Sequence, residues 1–188
     1  MATDLLLPLM DLPGVAESVT SARERVDALL WDRSLRTKGA ALRKDVAIQN
    51  ARASAAIDGI DIALSAWVTG DAFDDSPIGH AAAGVWRLEQ SLPEQVNVWA
   101  VAPMQSLARM HSLVARDVVA DADRLGRPRD SEEVDDPLRI KSLPDVASMK
   151  VRLAGLAQVT TTPTEAPAIV QAAVVHGELV ALRPFEWG

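Results

Sequence analysis

Cysteine is absent from this 188-residue chain, and so is tyrosine. Without thiols there is neither a disulfide framework nor a thiolate metal site, and the absence fits a reducing, cytoplasmic setting. Aromatic residues make up only 4% of the chain, and alternating runs of β-branched and aromatic residues, the mark of strands, are scarce. No stretch reaches about 18 uninterrupted apolar residues, so no membrane helix is expected. The opening MATDLLLPLMDLPG is apolar but short, holds Asp4 and Asp11, and lacks a basic leader region. It reads as an extended arm, with Pro8 and Pro13, that packs its leucines on the body. Positive charge is in deficit. A net charge of −7 argues against a nucleic-acid partner, because phosphate binding needs Lys and Arg in excess. The mild basic cluster near the N-terminus (Arg23, Arg25, Arg33, Arg36, Lys38, Arg43, Lys44) has acidic neighbours and reads as a solvated helix face.

What is present is a globular composition, 48% hydrophobic and 24% charged, enough for one domain with a core or a domain plus a small appendage. Helix formers dominate. A first helix is expected from Glu17 to Ser34, with Val19, Val26, Leu29 and Leu30 near one stripe. A longer one should run from Leu42 to Val68, its buried face marked by Val46, Asn50, Ala53, Ile57, Ile60 and Leu64 at steps of four and three. Gly59 lies inside that pattern, where a helix interior disfavours it by about 1 kcal/mol. Residues 70–77 form a loop ending in a helix start, Ser76 as cap and Pro77 in the first turn. That helix should end before Pro93. Pro103 opens the next, to Ala120, with Leu107, Met110, His111 and Val114 at core-like spacing. Residues 121–140 are polar and read as an exposed loop with at most a short hairpin near Leu138 and Ile140. Helices over 144–158 and 164–182 close the chain. The fold class is all-α, divided into an arm and first helix over 1–41 and a helical domain over 42–188.

The three histidines, His80, His111 and His176, match no metal-ligand spacing, and each suits a core or surface role. No Ser–His–Asp arrangement, phosphate-loop lysine motif or dinucleotide glycine triplet is present. On residue chemistry alone the chain reads as a soluble helical domain.

The C-terminal segment adds a resemblance. His176 and Leu179 on a helix, then Arg183-Pro184-Phe185-Glu186-Trp187-Gly188, resemble the region of the Fic family in which a helix leads to H-P-F-x-[D/E]-G-N-G-R-x-x-R. Three further segments fall in the family's order. Leu107 to Leu113 with His111, followed by Asp121 to Gly126, is similar to its L-x-x-x-H-x-x-L helix and turn. Leu143-Pro144 with Met149 is similar to the segment before the penultimate core helix. Ser54, Asp58 and Gly59 match the inhibitory motif [S/T]-x-x-x-[E/D]-[G/N] on an N-terminal helix.

The resemblance implies a Fic-like helical bundle with an inhibitory-type helix, cut off inside the motif. It also implies a protein that handles ATP with Mg²⁺ and transfers AMP to a protein hydroxyl. Phe185 and Gly188 then fall at the nucleotide, and Ser54, Asp58 and Gly59 become regulatory. The catalytic histidine position is Arg183, which stays protonated and cannot act as base. The Mg²⁺ position is Trp187, which has no oxygen ligand, and Glu186 is one residue early. His176, about 10 Å upstream on the same helix, is the replacement base to consider, with a core hydrogen-bonding role as its alternative. Catalysis is therefore expected to be weak or absent, so a Fic-type nucleotidyltransferase stands beside a non-catalytic interaction module. The protein target and any self-association stay open.

Overall fold

A computed structural model describes residues 4–134, 139–140 and 142–188. It is all-helical, with no strand among the described residues. The α-helices are α1 (Val15–Trp31), α2 (Arg33–Ile57), α3 (Leu64–Thr69), α4 (Pro77–Val101), α5 (Pro103–Ala115), α6 (Val146–Thr161) and α7 (Ala168–Leu182), with 3-10 turns at Leu7–Asp11 and Ala122–Arg124. Of the expected hairpin, Leu138 lies outside the described residues and Ile140 is not in a strand. No helix among the described residues is long and apolar enough to cross a membrane.

Local chemistry accounts for most boundaries. Ser76 accepts the Gly79 N–H at 3.0 Å and Pro77 takes the first helical position, which starts α4. Asp145 caps α6 by accepting the Ser148 N–H at 2.7 Å. The expected first helix is interrupted at Asp32, which is extended (ψ 124°) and accepts the Ser34 N–H at 2.6 Å. A fresh N-cap there splits one helix into two. The expected helix over 42–68 begins at Arg33 and stops at Ile57. Gly59, at φ +81°, is its terminator. The Gly59 N–H bonds to the Ala56 carbonyl and the Ile60 N–H to the Ala55 carbonyl, the paired closure that a left-handed glycine permits.

The buried face of α2 is not the one the periodicity marks. Ile48, Ala51 and Ala55 are buried, whereas Val46, Asn50, Ala53, Ile57 and Leu64 are exposed. Ile60 packs on the core from beyond the helix. The small alanines let α4 approach closely, and close packing outweighs the higher hydropathy of the neighbouring stripe. Helix α4 also overrides an expectation by running through Pro93. Proline in a helix interior disfavours it by about 3 kcal/mol, but both flanks are held. Ala81, Ala82 and Val85 are buried upstream, and buried Gln95 accepts the Ser106 hydroxyl at 3.0 Å downstream. Helix α5 ends five residues earlier than expected, at Ala115.

Two apolar clusters make the core. One gathers Ile48, Ala51 and Ala55 of α2, Trp67 of α3, Ala82 and Val85 of α4, and Val114 and Ala115 of α5. The other joins Leu107 of α5 to Met149, Leu153 and Leu156 of α6 and Leu182 of α7. Burying a leucine fully, as at Leu182, contributes about 2 kcal/mol. Helices α4 and α5 cross closely at Gly84, where an added Cβ would meet the Val114 carbonyl oxygen at 2.1 Å. The N-terminal arm forms a 3-10 turn and buries only Leu6 among its leucines; Leu5, Leu7 and Leu12 are exposed. Asp4 fastens it by accepting from the Thr164 hydroxyl and the Glu165 N–H, both at 2.8 Å.

Candidate functional site

Helix α7 ends where Arg183 takes the left-handed conformation (φ 42°) and its N–H bonds back to the Leu179 carbonyl at 3.0 Å. Pro184 follows and cannot extend the helix. A non-glycine residue held left-handed carries about 1–3 kcal/mol of strain and persists only where its surroundings impose it. Here the imposing residue is Arg129. Read from sequence as part of an exposed loop, it is 2% exposed. Its backbone N–H donates to the Pro184 carbonyl at 2.7 Å, and its Nε to the Arg183 carbonyl at 3.0 Å. The two terminal nitrogens reach the Ser131 carbonyl at 2.8 Å and the Pro144 carbonyl at 2.7 Å. A cation at the carbonyl end of a helix is favoured by the macrodipole, so Arg129 both caps α7 and pins the 121–134 loop to it.

The residues after Pro184 straddle both core clusters. Phe185 packs on the one containing Leu107 and Leu182, and Trp187 on the one containing Val114 and Ala55. Between them stands His111 of α5, buried, its ring stacked on Phe185 with centroids 4.1 Å apart and planes 8° from parallel. Its Nδ1 accepts the Gly126 N–H at 2.8 Å, which leaves the proton on Nε2, where it donates to the Trp187 carbonyl at 3.1 Å. Burial lowers its pKa, opposed by the bond to Trp187, so the ring is neutral near pH 7. Gly126 is needed at this approach: at φ +74° an added Cβ would lie 2.8 Å from the Ala108 carbonyl oxygen. Glu186 is ion-paired to Arg124 at 2.7 Å, and Arg124 also holds Asp130 at 2.6 Å.

These contacts close one side of a cleft of about 330 Å³, lined by His111, Val119, Pro128 and Trp187, by Arg124, Arg127 and Arg129, and by the acids Asp121, Asp123, Asp130 and Glu186. The turn that holds Arg183, Phe185 and Gly188 and the 121–130 loop are thereby brought together. Gly188 approaches α5, where an added Cβ would meet Val114 at 3.3 Å. His176 is exposed on α7 rather than hydrogen-bonded in the core, because that face of the helix turns to solvent. Ser54 and Asp58 are exposed at the C-terminal end of α2, and Asp58 forms its C-cap. The protein around the Asp58 carboxyl desolvates it enough to raise its pKa.

The side chains at the turn do not fit Mg²⁺. Trp187 offers no oxygen, the Glu186 carboxylate is committed to Arg124, and no group of three or more His, Asp or Glu suited to a metal occurs among the described residues. Neither is His111 available as a base, since both ring nitrogens are engaged. Sequence reasoning missed Arg124 and Arg129, whose roles arise from long-range contacts that carry no local pattern. Comparison with protein-family models, curated proteins and solved structures finds no match for this chain.

Proposed function

We propose that this chain is a Fic-like nucleotide-handling protein in which AMP transfer through the motif position has been lost. The observation that carries this reading is the convergence at His111. The α5 segment with its following turn to Gly126, and the C-terminal turn, resemble the family as two separate short patterns. In the fold they meet at one imidazole, which bonds to Gly126 and Trp187 and stacks on Phe185. Chance matches in a helical protein have no reason to meet. ATP would lie in the cleft against the turn, with the exposed Arg127 in the cleft wall as a phosphate partner. With Arg183 in place of a proton acceptor and no oxygen ligand at Trp187, the chain binds nucleotide without transferring AMP. Asp58 would regulate access.

One observation favours the alternative, a non-catalytic interaction module. Glu186, His111 and Arg129 are all committed to bonds within the chain, as in a scaffold that has lost its site. Calorimetric titration with ATP separates the two. The nucleotide reading expects saturable binding that Arg127→Ala weakens roughly 10- to 150-fold, as loss of a charge-assisted phosphate contact of about 1.5–3 kcal/mol implies. Absence of heat from a folded chain leaves only the module.

A further inference from the structure

The cleft at the C-terminal turn is small, and most of its positive charge is already engaged. At about 330 Å³ it falls at the lower end of the range for ligand sites, roughly 300–1,000 Å³. Its lining sets three arginines, Arg124, Arg127 and Arg129, against four carboxylates, Asp121, Asp123, Asp130 and Glu186. With His111 neutral, those seven groups carry a net charge of −1.

Two of the three cations have partners within the chain. Arg129 is buried and directs its Nε and both terminal nitrogens at backbone carbonyls. A single nitrogen of Arg124 holds Asp130 at 2.6 Å and Glu186 at 2.7 Å. Arg127 is exposed, and among the described residues its side chain has no ion pair or hydrogen bond. Asp121 and Asp123 are exposed too, and neither is ion-paired among the described residues. The Asp121 carboxylate is fixed in place by accepting the Asp123 N–H at 2.9 Å. An incoming ligand therefore meets one uncommitted cation and two uncompensated acids.

We propose, on the reading that this cleft handles nucleotide, that its ligand is a nucleoside monophosphate. A phosphate monoester carries about −1.5 to −2 near pH 7, and each further phosphoryl group adds about one negative charge. One phosphate is matched by the planar fork of Arg127. A second or third shares the lining with Asp121 and Asp123, and gains Arg124 only by displacing Glu186. No group of three or more His, Asp or Glu among the described residues is suited to hold Mg²⁺, so the chain supplies nothing else to offset that charge.

Calorimetric titration of the full chain with AMP and with ATP, in EDTA at low ionic strength, tests this. AMP should bind about threefold more tightly than ATP, the scale of one exposed charge contact. Arg127→Ala should weaken both nucleotides by the same factor. Glu186→Gln brings the lining to neutrality and loosens Arg124, so it should tighten ATP more than AMP while circular dichroism reports a folded chain. ATP binding as tightly as AMP, or more tightly, overturns this inference and leaves the nucleotide reading standing. Equal gains for the two nucleotides in Glu186→Gln do the same. Binding of neither nucleotide by a folded chain overturns both.

Discussion

His111 donates its Nε2 proton to the carbonyl of Trp187 at 3.1 Å, across 76 positions of sequence. The same ring accepts from Gly126 and lies flat on Phe185, so one side chain of α5 ties the 121–130 loop to the C-terminal turn.

Replacing it should be expensive. His111→Ala leaves the Gly126 N–H and the Trp187 carbonyl without partners and opens a cavity beneath Phe185. A loss of about 3 kcal/mol is expected, measured by urea unfolding. The pH dependence has a sign. Burial holds the folded pKa below the unfolded value of 6.5, so the unfolded chain binds the proton more readily. This residue's contribution to stability is therefore present above pH 6.5 and is lost as pH falls below it. The difference in stability between wild type and His111→Ala should shrink on acidification through that range. A difference that does not change with pH would refute the neutral, doubly bonded ring.

Arg129 is the second anchor. Arg129→Met removes donors from the Arg183, Ser131 and Pro144 carbonyls and should cost about 3 kcal/mol. The backbone amide of Arg129, which donates to the Pro184 carbonyl, should then lose its protection from hydrogen exchange. Arg129→Lys should recover only part, because an ammonium cannot span carbonyls on separate segments.

Helix ends and starts were legible where a residue acts on its own backbone: Ser76 and Pro77 open α4, and Pro103 opens α5. The all-helical class followed from the same local signals. What failed was decided at a distance. Pro93 reads as a breaker, yet packing on either side carries α4 through it. The 46–64 stripe reads as core, yet Ala51 and Ala55 are the residues another helix can approach. Within the site, His111 and Phe185 were singled out by their place in a sequence pattern, and Trp187 only as a departure from it. Arg129 was hidden, because a lone arginine in a polar loop carries no sign that four backbone carbonyls converge on it.

Two glycines separate strain from crowding. Gly59→Ala meets open space but keeps φ at +81°, and should cost about 1 kcal/mol. Gly84→Ala sets a methyl against the Val114 carbonyl at the α4–α5 crossing, and should cost about 3 kcal/mol. Thermal unfolding of both variants checks the order; a reversed order would contradict the crossing described here.

Asp4 predicts an acid-sensitive clasp. Its bonds to the Glu165 and Leu7 N–H groups and the Thr164 hydroxyl lower its pKa from 3.8 to about 2. The folded carboxyl is the weaker proton acceptor, so its stabilising effect is complete above pH 3.8 and disappears as pH falls toward 2. Asp4→Asn should release the arm at neutral pH, seen as faster proteolysis before Val15. Unchanged cleavage would mean that Leu6 alone holds it.

The most direct test of the site is photocrosslinking with an azido-substituted ATP, followed by peptide mapping of the intact chain. The account predicts an adduct that excess ATP suppresses, on peptides spanning Asp121–Asp130 or Arg183–Gly188. A suppressible adduct mapping elsewhere, or none at saturating nucleotide, would contradict the assignment of this cleft to nucleotide handling.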